Sequence, residues 1–446
     1  MNLKMVDMLS YYLKVAFKNA RRNRLLTVLM VLAIAVGIGA SMTTLTVMRL
    51  LSGDPLPGRS QNLYYPQVDV NPRSMGREPP DVLDDRTALD LFNARQADRQ
   101  TLVAGGQVKL RAPDSALPPL MLSIASVTSD FFAMFDVPFQ YGKAWSGDDD
   151  AARARVVVIS SSLNDRLFGG RNSVGRTLHV GNADVHIVGV LAPWRPAPLF
   201  YKVRGGRFAN GDTASFYARP DDMFMPFSAS LDVNAGGFQP FTCWAPPDKP
   251  GHLENSPCVW VALWVRLDGA AKVAAYERFL KHYAARQKEQ GRIVHADNTR
   301  LRSLTQWLDF NRVVPGDVKL QAALAFAFLG ICLANVVSLL LAKFLRHGAE
   351  IGLRRALGAT RVAIFVQCIA ESALIGLLGG VGGLLLTLLG LHLVRRQPVP
   401  YVDLAYLDLP MFLSTFALSV MVSLAAGMLP ALRATSIQPA TQLKQL

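Results

Sequence analysis

The sequence predicts a membrane α-helical protein with four transmembrane helices and a large α+β extracytoplasmic domain inserted between spans 1 and 2. Three observations predict this fold class. The chain has four long apolar stretches, its basic residues cluster beside them, and a long segment of alternating strands and helices separates the first two stretches.

The apolar stretches predict spans at 25–48, 320–343, 362–394 and 409–432. No Asp, Glu, Lys or Arg interrupts these runs, apart from Glu371 in the third and the terminal Lys343 of the second. A bilayer core of about 30 Å needs about 20 apolar residues in a helix, and apolar runs this long are not typical of soluble core helices. The first run is also longer than the apolar region of a signal peptide, which has about 7–15 residues.

The basic residues predict the orientation of the spans. Residues 1–24, 343–361 and 433–446 carry 13 basic residues against two acidic ones, which is 11 of the net charge of +14. Lysine and arginine concentrate in cytoplasmic loops. We therefore expect a multi-pass protein of the bacterial inner membrane with both termini in the cytoplasm, and the charge needs no nucleic acid as a partner.

This orientation divides the rest of the chain. Residues 1–24 have the pattern of a cytoplasmic amphipathic helix that contacts membrane lipids, and a plain helical extension of the first span is the alternative. Residues 344–361 form a cytoplasmic loop, and residues 395–408 a short outer loop. Residues 49–318 form the extracytoplasmic domain, in which the Pro- and Gly-rich stretch 193–258 is interpreted as a loop-rich insertion.

Two cysteines lie in the outer segment, where an oxidising compartment permits a disulfide. We predict that Cys243 and Cys258 pair, with two buried free thiols as the alternative. No spacing of cysteine or histidine residues suggests a metal site.

Four blocks of sequence, in the same order, resemble the MacB/FtsX-type ABC transporter permeases, the type VII or mechanotransmission family. They are the first span, "RRNRLLTVLMVLAIAVGIGA"; residues 127–191, which begin "VTSDFFAMFDVPF"; residues 350–386, which begin "EIGLRRALGATRVAIF"; and the tail "LPALRATSIQPATQL". The blocks cover about two thirds of the chain, and 193–258 lies outside them.

The resemblance implies a non-catalytic subunit of a dimer, either a homodimer or a pair of related permeases. A separate cytoplasmic ABC ATPase would bind ATP and Mg, so we expect no cofactor in this chain. A periplasmic adaptor and an outer-membrane channel are further implied partners. The implied function is export or extraction of an amphipathic substrate: a peptide, lipoprotein, macrolide-like molecule or lipid. The alternatives are an FtsX-like regulator of a cell-wall hydrolase, without transport, and an anchored receptor or enzyme without an ATPase.

One segment is similar to a nucleotide-binding P-loop. Residues 170–177 read "GRNSVGRT", with Arg176 where that motif needs the lysine that reaches the phosphates. A P-loop follows a strand and opens a helix, whereas this segment follows a predicted helix and leads into a predicted strand. We therefore interpret it as a connecting loop, and no catalytic residue is predicted.

The block at 350–359 is, by resemblance, the coupling helix that docks into the ATPase. Apolar anchors typically fill a groove, while charges fix orientation. The alternative is a basic loop that only sets topology. The predicted coupling residues are Glu350, Ile351, Gly352, Leu353, Arg354, Arg355, Leu357, Gly358 and Ala359, with Ile351, Leu353 and Leu357 on an apolar side.

Small and polar residues in the spans predict helix packing. Small residues four apart let helices approach closely, within one subunit or between two. For Glu371 three interpretations stay open: a position near the inner interface, a pair across the dimer, and a proton relay. The predicted packing residues are Asn335, Glu371, Gly376, Gly379, Gly380 and Gly383.

Overall fold

The computed structural model describes residues 15–17, 19, 21–22, 24–111, 118–210, 212–249, 251–314, 316–396 and 409–435. The chain forms two compact units, one of Met1–Ser52 with Val314–Leu446 and one of Gly53–Val313. Most of the predicted amphipathic helix at 1–24, outer loop at 395–408 and tail at 433–446 lies outside the described residues.

The elements follow in chain order. The helices are α1 (Arg24–Ser52), α2 (Asp85–Asn93), α3 (Asp130–Met134), α4 (Gly147–Ala151), α5 (Ser161–Phe168), α6 (Phe227–Val233), α7 (Ala270–Glu289), α8 (Leu304–Phe310), α9 (Gly316–Arg346), α10 (Gly348–Ala356), α11 (Arg361–Val394) and α12 (Leu409–Thr435). The strands are β1 (Leu63–Val68), β2 (Arg99–Arg111), β3 (Leu120–Val127), β4 (Phe139–Gly142), β5 (Val156–Ile159), β6 (Thr177–Val180), β7 (Ala183–Leu191), β8 (Met223–Pro226), β9 (Thr242–Cys243), β10 (Cys258–Val259), β11 (Ala262–Arg266) and β12 (Thr299–Ser303).

The helical unit is built from long apolar helices. Among the described residues, α1, α9, α11 and α12 are long and apolar enough to cross a membrane, at 25 to 34 residues each. Thr360 starts α11, because its hydroxyl accepts a hydrogen bond from the Ala363 amide and so satisfies an otherwise unpaired donor. The helices enclose a core of apolar side chains that includes Met30, Ile34, Val336 and Ile375.

The second unit is organised by one mixed sheet. In the described part of the chain its strand order is β12-β1-β11-β2-β3-β8-β5-β7-β4, and β6 pairs with both β2 and β7. The β3–β8 and β5–β7 pairs are parallel, and the other pairs are antiparallel. The residues of β2 are buried from Gln100 to Gly106 and alternate only towards its end, which marks a central strand covered on both faces.

Strand β8 lies inside the stretch 193–258, which the sequence predicts to be loop-rich. All of its residues, Met223–Pro226, are buried, and it pairs with β3 on one side and β5 on the other. This part of 193–258 is therefore integral to the sheet rather than an insertion beside it. The other regular elements described in this stretch are short 3₁₀ turns, the helix α6 and the small hairpin of β9 and β10.

The candidate coupling helix and its contacts

The short helix α10 lies between two apolar helices and is limited by local signals. Gly358, at φ +99°, takes the left-handed conformation that glycine adopts most easily at a helix end. The amides of Gly358 and Ala359 donate to the carbonyls of Arg355 and Arg354, at 3.1 and 3.0 Å. The chain then turns at once into α11, which begins at Arg361.

The apolar residues of α10, together with Leu357 directly after its last residue, point to two different sides. Leu353 and Leu357 are 54% and 80% exposed, and they lie one helical turn apart on one side. Ile351 is buried in the core of the helical unit, and Gly352 is buried as well. The prediction that Ile351 shares an apolar side with the two leucines is wrong, because two residues along a helix correspond to about 200° of rotation.

The charged residues of α10 contact the chain itself. Glu350 pairs with Arg354 at 2.8 Å and with Arg22 at 3.7 Å. Arg354 also donates from Nη1 to the Gln367 side-chain oxygen of α11 at 2.9 Å. Arg355 donates to the carbonyl of Thr435 at 3.3 Å. These charges therefore tie α10 to its neighbouring helices.

Glu371 forms an ion pair within the subunit. Its partner is Lys343 in the last turn of α9, and the two residues are 4% and 2% exposed. None of the three interpretations of Glu371 named Lys343. The structure places this cation beside Glu371 within the same chain. In the sequence, Lys343 counts only as a signal for topology. The clue to the pair was Glu371 itself, because an acid in an apolar helix requires a nearby partner.

The glycines of α11 allow close contacts inside one chain. A Cβ added at Gly376 would lie 1.8 Å from the Ser423 Cβ of α12. A Cβ added at Gly379 or Gly383 would lie 2.6 or 2.8 Å from an isoleucine of α1. Gly380 is buried in the same helix, whereas Asn335 is exposed on α9.

Two family models match the chain. The MacB-like periplasmic core domain matches residues 27–282, and the FtsX-like permease C-terminal domain matches residues 322–439. The chain belongs to the MacB/FtsX-type ABC transporter permeases. Both matching models describe permease-type domains.

Curated relatives of this permease are export proteins by name. The pyoverdine export ATP-binding/permease protein PvdT of Pseudomonas entomophila (strain L48) is 25% identical over 94% of this chain and 57% of its own length. The macrolide export ATP-binding/permease protein MacB of Acinetobacter baylyi is 22% identical over 99% of this chain and 60% of its own length. The chain thus spans less than two thirds of these relatives.

Among solved structures, the periplasmic region of MacB from Actinobacillus actinomycetemcomitans aligns with 58% of this chain and 96% of that one. The TM-score is 0.37 and the sequence identity 12%. At this TM-score the alignment adds nothing to the family assignment.

The unit Gly53–Val313, named the outer unit after its match to the periplasmic core domain, carries the predicted cysteine pair. Cys243 and Cys258 face each other across the β9–β10 hairpin and form a disulfide. Cys332 and Cys368 are free and buried in the helical unit. Residues 170–177 connect α5 to β6, so this P-loop-like segment precedes a strand.

A cleft of about 610 Å³ also lies in the outer unit, bordered by α2, β2 and α6. Its lining combines apolar Phe92 and Phe227 with the ion pair of Arg99 and Asp130 at 2.8 Å. Burial raises the pKa of Asp150 beside them, although its carboxylate accepts hydrogen bonds from the Ser129 amide and the Trp145 indole. The volume falls in the range of ligand pockets.

Proposed function

We propose that this chain is the permease subunit of an ABC exporter or extractor. It couples ATP hydrolysis by a separate cytoplasmic ABC ATPase to movement of its extracytoplasmic domain, and so moves an amphipathic substrate. The observation that carries the proposal is the short helix α10, which exposes Leu353 and Leu357 while its charges are held by the chain itself. The names of the relatives, which join ATP binding to export, support it.

The exposed leucines suit a docking contact. Two leucines one turn apart on a helix are typical anchors for an apolar groove on a partner. Full burial of a leucine side chain contributes about 1.5–3 kcal/mol. Because Glu350, Arg354 and Arg355 contact neighbouring helices, the rigid placement of α10 limits the entropy lost on docking.

ATP and Mg belong, in this proposal, to the partner ATPase. The distribution of basic residues supports an orientation with both termini and α10 in the cytoplasm of an inner-membrane protein. The functional unit is a homodimer or a pair of related permeases, in contact with membrane lipids. A periplasmic adaptor and an outer-membrane channel would complete an export route.

The test is binding of the full-length permease, in lipid nanodiscs, to an ABC ATPase from the same organism. Replacement of both exposed leucines, Leu353→Ser with Leu357→Ser, should weaken binding about tenfold or more, because two desolvated anchors are lost. Leu345→Ser is the matched control, since Leu345 is 56% exposed in the last turn of α9. If the double variant and the control bind the ATPase equally well, α10 is not the docking helix.

A further inference from the structure

Three consecutive elements of the helical unit are joined by polar contacts where α9 ends and α11 begins. His347, between α9 and α10, donates from Nδ1 to the Lys343 carbonyl at 2.8 Å. Arg354 of α10 donates to Gln367 of α11 at 2.9 Å. Glu371 of α11 pairs with Lys343 of α9. Together with the covalent chain that leads from His347 into α10 and along α11, these contacts close a ring that runs through α9, α10 and α11.

The ring depends on one face of α11. Gln367 and Glu371 are four residues apart, so both lie on the same face of the helix, about 6 Å from each other along its axis. Gln367 accepts a hydrogen bond from the arginine of α10, and Glu371 pairs with the lysine of α9. The ring borders a cavity of about 30 Å³, whose lining includes Phe344, Ile364 and Cys368.

A contribution to stability alone does not explain why Lys343 and Glu371 are charged residues at this buried position. Removing lysine and glutamate from water is costly, and apolar side chains of similar volume frequently replace a buried ion pair without loss of stability. An apolar pair would also have apolar neighbours here, because Phe344, Ile364 and Cys368 belong to the core of the helical unit and line part of this cavity. What an apolar pair would lack is a directional bond between α9 and α11.

We propose that Lys343 and Glu371 are positioning residues that close this polar ring, so that α10 moves together with α9 and α11 as one body. The inference rests on the proposed function, in which α10 receives the motion of the ATPase. Docking uses the exposed leucines, and the ring passes the motion to the two long helices.

The decisive variant replaces both charges by apolar side chains, Lys343→Met with Glu371→Leu. Each single replacement would bury an unpaired charge and is expected to lower the yield of folded protein. The swapped pair, Lys343→Glu with Glu371→Lys, restores the ion pair with reversed polarity. Gln367→Leu opens the ring at its other link without burying a charge, because Arg354 is one-third exposed and can hydrate.

The measurement uses full-length permease in nanodiscs with the same ABC ATPase as the binding test. Hydrogen–deuterium exchange of residues 53–313 is compared with and without the ATP analogue AMP-PNP, and ATPase binding is measured alongside. The wild type should show a nucleotide-dependent change in exchange. In the Met/Leu and Gln367→Leu variants that change should fall about fivefold or more at ATPase concentrations that saturate binding, and the swapped pair should restore it.

Each outcome decides. A wild-type response in the Met/Leu variant overturns the proposal; if that variant does not fold, a wild-type response in Gln367→Leu overturns it. If the swapped pair loses the nucleotide-dependent change as well as the Met/Leu variant, altered packing explains the loss, and the proposal is also overturned. If the wild type binds the ATPase but shows no nucleotide-dependent change, or does not bind it, the proposed function itself is wrong.

Discussion

Replacing Gly376 with alanine should destabilise the helical unit, whereas the same replacement at Gly330 should not. The new Cβ at Gly376 would lie 1.8 Å from the Ser423 Cβ and 3.2 Å from the Ser423 Cα. Carbon atoms in contact are normally about 3.5–4.0 Å apart. A rotamer change cannot move Cβ, so α11 and α12 would have to separate locally.

Two opposing terms give the magnitude. Forcing extra carbon into a packed interior costs about 1–3 kcal/mol, and the fixed position of the Ser423 Cβ favours the upper end. Against this, alanine stabilises a helix by up to about 1 kcal/mol relative to glycine. The net loss of folding stability in Gly376→Ala is therefore about 2 kcal/mol. A Cβ at Gly330 meets nothing within 4 Å, so Gly330→Ala should keep most of that gain.

Unfolding in mixed micelles can separate the two units. All six tryptophans fall between residues 145 and 307, so fluorescence follows the outer unit, while circular dichroism is dominated by the long helices. Gly376→Ala should shift the dichroism transition and leave the fluorescence transition in place. Adding Ser423→Gly removes the obstructing Cβ and should recover much of the loss. Equal transitions for Gly376→Ala and Gly330→Ala would refute the close approach of α11 and α12.

Two further predictions concern the outer unit. Replacing Cys243 and Cys258 with serine should lower its unfolding free energy by about 3 kcal/mol, because the disulfide closes a loop with a sequence separation of 15; an unchanged fluorescence transition would contradict this. Burial raises the pKa of Asp84, and Arg292 opposes that rise. Because this pKa is raised in the folded state, the protonated Asp84 carboxyl contributes to the stability of the fold. The contribution is complete below the ordinary pKa of aspartate and is lost as the pH rises through the raised pKa. Arg292→Gln should raise this pKa further, so stability should fall over a wider and higher pH range than in the wild type; parallel pH profiles from urea unfolding would refute it.

Much of the fold is predictable because it depends on local patterns. The long helices follow from runs free of charge, since a bilayer excludes charge and length determines what spans it. Strands such as β3 and β7 follow from apolar and β-branched residues in short runs. The pairing of Cys243 with Cys258 could be proposed from their shared outer location, although location says nothing of the register that brings them together.

Strand β8 shows where local patterns stop. Its sequence, Met-Phe-Met-Pro, is too short for a period and ends in proline. It becomes a strand because β3 and β5 satisfy its backbone groups on either side, and that pairing is long-range. The partner of Glu371 was missed for a similar reason, since Lys343 lies on another helix, 28 positions earlier in the chain.

The contacts of Arg354 change what a charge reversal would measure. Sequence alone suggests Arg354→Glu as a test of docking to the ATPase. The structure places its guanidinium on Glu350 and Gln367, so the reversed charge would face Glu350 and break the contact with α11. A loss of coupling between ATPase and permease in Arg354→Glu would therefore reflect a changed position of α10 within the permease. Docking itself is tested at Leu353 and Leu357, whose side chains are exposed and lie outside the apolar core formed by the described residues of the helical unit. A permease that keeps ATPase binding in Arg354→Glu but loses it in the leucine variant would separate the two roles.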